Sequence, residues 1–116
     1  CVNMLLTGSV LMDKEQWRGS VELIVLSLIK KEDMYGFMMI NIVNKVTDSY
    51  ELSEGTLYAI LKRLERKGYI EAYWGDKTKG GRRKYYRILE EGEELYQQKM
   101  KSWSDINFII STLNKG

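Results

Sequence analysis

The stretch LSEGTLYAILKRLERKGYI, residues 52–70, decides the fold because it contains one complete helix with both its end signals. Ser53 is a preferred N-cap residue, and Glu54 follows in the first turn, where the helix dipole favours a negative charge. Gly68 comes after a basic last turn, which is typical of a helix C-terminus. Four apolar residues recur at helical spacing and form one inward face: Leu57, Ile60, Leu61 and Leu64. The pattern predicts a helix over about 54–67.

The periodicity changes directly after this helix. YIEAYWG, residues 69–75, and RRKYYRIL, residues 82–89, are rich in aromatic and β-branched side chains. The polar segment DKTKGG, residues 76–81, lies between them and contains two glycines. Two such runs around a polar turn predict a β-hairpin with a longer loop.

Two further helices are predicted before residue 52. MDKEQWRGSVELIVLSLIKKED, residues 12–33, reads as the first, with Asp13 as its cap. MYGFMMINIVNKV, residues 34–46, reads as the second and begins near Asp33 or Tyr35. Its expected apolar face consists of Phe37, Ile40 and Val43 or Asn44. The connector TDSYEL, residues 47–52, has room for one short strand.

The C-terminal segment EEGEELYQQKMKSWSDINFIISTLNKG, residues 90–116, returns to helical character, and no proline interrupts it. The predicted fold class is mainly α with a small β-hairpin: a winged helix-turn-helix with a long C-terminal dimerisation helix. We expect three parts. Residues 1–11 form a disordered arm or a vector-derived remnant, residues 12–89 the winged-helix domain, and residues 90–116 the dimerisation helix.

The composition excludes several classes of function. The 116-residue chain has no His and a single Cys, Cys1, so it lacks a His general base, a Cys/His zinc site and an internal disulfide. Its longest apolar run, VELIVLSLI, is too short to span a membrane. We therefore expect neither an enzyme nor a cofactor or metal site, and we expect a reducing, cytoplasmic setting.

The net charge is only +2, but the positive charge is concentrated. Between Lys77 and Arg87 there are six basic residues and no acidic one. In a helix-turn-helix the second helix lies in the DNA major groove, and a basic hairpin follows phosphates or enters the minor groove. The candidate groove contacts on the helix are Ser53, Thr56, Tyr58, Lys62 and Arg63. The candidate backbone or minor-groove contacts on the hairpin are Lys77, Lys79, Arg82, Arg83 and Lys84.

Two other interpretations of these charges stay open. KRLERK and DKTKGGRRK can be ordinary solvated surfaces, since each contains an acidic residue among the bases. Winged helices also occur as protein-interaction modules without specific DNA binding, and this is the alternative function. The six uncompensated bases of the hairpin favour double-stranded DNA as the partner.

Three segments resemble the PadR-type transcriptional regulators: MYGFMMI at 34–40, LSEGTLYAILKRLERKGYIEAYW at 52–74 and GGRRKYYRI at 80–88. The resemblance implies a winged-helix fold and a dimeric repressor. One departure stands at the entry to the last helix, ILEEGEE, where Leu89 occupies a position that a capping Thr commonly fills in the family. We expect a less firmly fixed helix start there, with the nearby glutamates compensating through the dipole.

The tail carries a seam of near-heptad spacing, which predicts a homodimer because the winged domain cannot cover so long a helix. The predicted interface residues are Tyr96, Met100, Trp103, Ile106, Ile110 and Leu113. A dimer of this kind suits a palindromic operator.

KSWSDINFIISTL is similar to the tail of the short, multidrug-sensing branch of the family. The resemblance implies a pocket between Trp103 and its symmetry mate, where a planar aromatic ligand stacks and releases the repressor. The alternative is that Trp103 is only a dimer-core aromatic. The expected ligand-binding residues are Trp103, Trp17, Met100 and Asn107. Relatives in that branch carry an acidic residue where Asn107 stands, so neutral ligands are favoured here over cationic ones.

Overall fold

The computed structural model describes residues 14–75 and 82–115. In these two ranges the chain forms four helices and three strands. They are α1 (Lys14–Lys31), β1 (Met34–Tyr35), α2 (Gly36–Val46), α3 (Glu54–Arg66), β2 (Ile70–Trp74), β3 (Lys84–Ile88) and α4 (Glu90–Leu113). The predicted order of elements and the predicted fold class are confirmed. The expectations for residues 1–11 and for Asp13 as a cap lie outside the described residues.

The sheet has three antiparallel strands in the order β1-β3-β2, one more than the hairpin alone predicts. β1 pairs Met34 with Tyr86 and Tyr35 with Tyr85. The expectation of a short strand in residues 47–52 is wrong, since that connector has no strand. The connector is held differently, because the backbone N–H of Leu52 donates to the Asn44 side-chain oxygen at 3.0 Å.

The core lies between α1, α2, α3 and the inner face of the sheet. The predicted inward face of α3 is confirmed, because three of its leucines are fully buried and Ile60 packs against them at the edge. Phe37 departs from the prediction: it is 57% exposed, and Met39 takes the buried position beside Ile40 and Val43. The shift follows from the helix starting at Gly36 rather than earlier, which sets the phase of its buried face.

The tail helix α4 starts against the root of the hairpin. Leu89 makes no side-chain capping bond, as expected, but its backbone N–H donates to the Tyr69 carbonyl at 3.0 Å. Gly92 is buried on the same carbonyl, so closely that a β-carbon there would overlap it. The start of α4 is therefore fixed by backbone contact with Tyr69 rather than by a cap.

Candidate nucleic-acid interface

The N-terminus of α3 is capped as the sequence predicts. The Ser53 hydroxyl accepts a hydrogen bond from the Thr56 backbone N–H at 3.2 Å and lies 3.1 Å from the Thr56 hydroxyl. Ser53 is exposed and Thr56 is half-buried. This first turn is thus a rigid, solvent-facing array of hydroxyl and N–H groups, which suits contacts to phosphates or base edges.

The basic residues of α3 are not equivalent. Lys62 and Arg66 are exposed and have no carboxylate partner in the described part of the chain. Arg63 instead lies 3.4 Å from the Glu22 carboxylate on α1, and that carboxylate also pairs with Lys99 at 3.1 Å. Arg63 is half-exposed, so any DNA contact by its guanidinium competes with this internal pair.

Tyr58 has a structural contact besides its predicted one. Its ring is 44% exposed, yet its hydroxyl lies against Gly36 at the start of α2, where a β-carbon would overlap it. The close approach requires glycine at position 36. Tyr58 therefore ties the start of α2 to the first turns of α3 while keeping part of its surface free.

The wing, β2 and β3 with their connection, supplies the other predicted contacts. Lys77 and Lys79 lie outside the described residues. Arg82, Arg83 and Lys84 are exposed, and each has its cation over an aromatic ring, on Trp74, Tyr35 and Tyr86 respectively. The two arginine contacts are the close ones, at 4.8 and 4.7 Å from the ring centroid, a distance at which cation–π attraction is substantial. The sequence does not foretell these contacts, because they depend on strand register.

The outer face of the sheet bears a row of three tyrosines. Tyr73 and Tyr85 stack at 5.7 Å, and Tyr35 meets Tyr85 edge to face at 5.5 Å. The Tyr73 hydroxyl donates a 2.5 Å hydrogen bond to Asp33, which raises the pKa of Tyr73 above its ordinary value. Arg87 lies over the Tyr73 ring at the end of the row away from Arg83 and pairs with Glu71. The row joins the wing to the loop before α2.

A cavity of about 340 Å³ lies where the wing meets the start of α3. We call it the wing-root notch; it is lined by Tyr35, Gly36, Phe37, Tyr58, Arg83, Lys84 and Tyr86. Its lining includes residues of α2, α3 and β3, so the predicted groove and backbone contacts belong to one continuous surface. Burial raises the pKa of Tyr86, which faces the core.

The predicted interface residues on α4 are in two settings. Trp103, Ile106, Ile110 and Leu113 are 54–78% exposed and follow one another along the tail. Tyr96 departs from the prediction, because it packs partly on its own domain and lies 5.4 Å from the Lys30 ammonium. Met100 is half-buried beyond it. Phe108 and Ile109 are also exposed, at 70% and 53%, which the seam alone does not account for.

The two predicted ligand-binding tryptophans have different surroundings within one chain. Trp17 stacks on Tyr50 at 4.9 Å and lines an apolar groove of about 390 Å³ between α1 and α2. Trp103 is 57% exposed on the tail, and Asn107 one turn later is exposed as well. Lys101 pairs with Asp105 at 2.8 Å, and this partner raises the pKa of Lys101. Among the described residues no cluster of acidic side chains could hold a metal ion.

The model of the transcriptional regulator PadR-like family matches residues 25–98. The chain belongs to this family. A transcriptional regulator from Clostridium thermocellum is 38% identical, covers 90% of this chain and 99% of its own, and superposes with a TM-score of 0.79. A PadR family transcription regulator from Clostridium difficile is 31% identical, with coverage of 83% and 99% and a TM-score of 0.75. An uncharacterised protein of Lysinibacillus sphaericus is 41% identical over 100 residues, 85% of this chain and 92% of its own.

Membership in this family fixes the class of function. PadR-type proteins are DNA-binding transcriptional regulators, and this chain is therefore a winged-helix regulator rather than an enzyme. In the helix-turn-helix, α3 is the recognition helix and the β2–β3 hairpin is the wing. No helix in residues 14–75 or 82–115 is long and apolar enough to cross a membrane.

Proposed function

We propose that the chain is a homodimeric repressor that binds a palindromic operator and is released by a planar aromatic molecule at the dimer interface. The observation that carries the DNA part is the wing-root notch, which joins Tyr58 of the recognition helix to Arg83 and Lys84 of the wing. Exposed cations on both elements thus form one surface. Neutralising phosphates with such cations releases counterions, so affinity falls as salt rises.

The DNA part is tested by fluorescence anisotropy with a labelled duplex from the region upstream of the protein's own gene. We expect tight binding at low salt, a steep fall of affinity with salt, and weaker binding to a scrambled duplex of equal length. Lys62→Gln is expected to weaken binding more than Arg63→Gln, because Arg63 is already paired with Glu22. Absent or salt-independent binding would contradict the proposal.

The dimer is supported by the tail. Residues 101–115 are all exposed, and the seam leaves four large apolar side chains of α4 uncovered. A second copy packed about a twofold axis would cover them and place two recognition helices on one duplex. Sedimentation velocity is expected to give a dimer for the wild type and a monomer for Ile110→Asp. Ser104→Asp on the opposite face of α4 serves as control, and a dimer that survives Ile110→Asp would refute the seam.

The ligand site is supported by the exposed Trp103 in that seam. Two indoles related by the twofold axis would offer flat faces to a planar aromatic molecule, and Asn107 would offer hydrogen bonds but no charge. A neutral planar dye is expected to quench tryptophan fluorescence, and Trp103→Ala should abolish that response. Trp74→Phe, which removes an exposed tryptophan on the wing, is expected to respond like the wild type. An equal response by Trp103→Ala would place the pocket elsewhere.

A further inference from the structure

The wing-root notch has the composition of an anion site. Arg83 and Lys84 line it, and neither has a carboxylate partner within the two described ranges. The Tyr58 hydroxyl adds a hydrogen-bond donor, and none of the lining residues is acidic. Cationic forks and hydroxyl donors that converge on a cavity open to solvent match a phosphate group, whose oxygens accept several charge-assisted hydrogen bonds.

Arg87 provides an internal comparison, since it lies on the same strand and also stacks on a tyrosine. Its guanidinium donates to Glu71 through Nε and through Nη2, each at 2.9 Å. Its charge is therefore compensated within the sheet, at the end of the tyrosine row away from the notch. Of the two arginines, Arg83 alone lines the notch and has no acidic partner in the described residues.

Tyr35 holds Arg83 in place. The Arg83 guanidinium lies 4.7 Å from the centroid of the Tyr35 ring. That ring is fixed by its edge-to-face contact with Tyr85, which stacks on Tyr73, and Tyr73 is bound to Asp33. An arginine held in this way has fewer rotamers to lose when it binds, and pre-organisation of this kind increases affinity.

We propose that the wing-root notch binds one phosphodiester group of the DNA backbone. Arg83 and Lys84 supply the charge, Tyr58 donates a hydrogen bond through its hydroxyl, and Tyr35 is the positioning residue for Arg83. The inference rests on the proposed DNA binding, which it deepens by assigning one contact to one site.

The test compares Arg83→Gln with Arg87→Gln in salt titrations on a fluorescein-labelled duplex of mixed sequence. Such a duplex suffices because phosphate contacts do not depend on base sequence. The slope of log affinity against log salt is expected to fall by about 0.9 for each protomer's lost phosphate contact in Arg83→Gln. It should stay at the wild-type value in Arg87→Gln. Equal slopes for the wild type and Arg83→Gln, or equal losses in both variants, would overturn the proposal.

The role of Tyr35 is tested by a double-mutant cycle. Tyr35→Phe keeps the ring and is expected to bind DNA like the wild type, whereas Tyr35→Leu should bind more weakly. In the Arg83→Gln background, Tyr35→Leu should cause no further loss. Additive losses would show that Tyr35 does not act through Arg83. Thermal unfolding of each variant identifies those that are folded, and Tyr58→Phe, which removes one hydroxyl only, gives a second loss of affinity that the proposal requires.

Methylphosphonate scanning separates this contact from general attraction. Each duplex carries one uncharged linkage, and one position should weaken the wild type without weakening Arg83→Gln further. Absence of any such position contradicts the notch as a phosphate site. If the wild type binds no duplex even at low salt, the proposed function fails as well. If it binds with a steep salt slope that Arg83→Gln retains, only the notch fails.

Discussion

Replacing Gly92 by Ala tests how the tail helix is joined to the winged domain. In an open helix position this change is favourable by about 1 kcal/mol, because glycine loses more backbone freedom on folding than alanine does. At Gly92 the new methyl group would overlap the Tyr69 carbonyl oxygen and press on Ile88. The carbonyl cannot shift freely, since it also accepts the hydrogen bond from the Leu89 N–H.

Overpacking of this kind costs typically about 1–3 kcal/mol, and here the obstacle is backbone rather than a flexible side chain. We therefore expect Gly92→Ala to lower the free energy of unfolding despite its better helix propensity. Gly19→Ala on α1 is the matched control, because nothing lies within 4 Å of the position its β-carbon would take. It should raise stability by about 0.5–1 kcal/mol.

Urea unfolding followed by circular dichroism measures both changes, at one protein concentration so that self-association affects all samples equally. Opposite signs for the two variants support the close contact of α4 with Tyr69. A Gly92→Ala protein as stable as Gly19→Ala would refute the reasoning, and with it the account of how the start of α4 is fixed without a cap.

Three further outcomes follow from single contacts. Ser53→Ala should cost about 1 kcal/mol of stability through loss of the N-cap bond, and Ser53→Asp should retain most of it in the same urea assay. The raised pKa of Tyr73 means that its bond to Asp33 stabilises the protein fully below the ordinary tyrosine pKa near 10. That contribution is lost as pH rises through the raised value, so the stability difference between wild type and Tyr73→Phe should vanish in alkaline urea titrations. Glu22→Gln, which removes the partner of Lys99 and of one arginine, should lower stability by less than about 1 kcal/mol, and this difference should shrink in high salt.

Much of the fold could be predicted because its signals are local. The cap at Ser53, the leucine spacing of α3 and the stop at Gly68, which has a positive φ of 83°, all lie within one continuous segment. The β1 strand could not be predicted, since two residues carry no periodicity. It exists only because Met34 and Tyr35 pair with residues about fifty positions later.

The candidate site was predictable in its residue types but not in their partners. Lys62 and Arg63 are neighbours in the sequence, and only the packing of α1 against α3 assigns Glu22 to one of them. The cation–π contact of Arg83 with Tyr35 likewise depends on the pairing of β1 with β3. The tail shows the opposite limit. Its exposed seam agrees with the predicted spacing, whereas the partner that would cover it is a property of the assembly and not of one chain.

The central claim is that the recognition helix and the wing form one DNA-contacting surface. Amide chemical-shift mapping by NMR during titration with the upstream duplex tests it most directly. We expect the largest changes in residues 53–66 and 82–87, meeting at the wing-root notch, and small changes in the tail beyond residue 101. Changes confined to the tail, or spread evenly over the chain, would contradict the account.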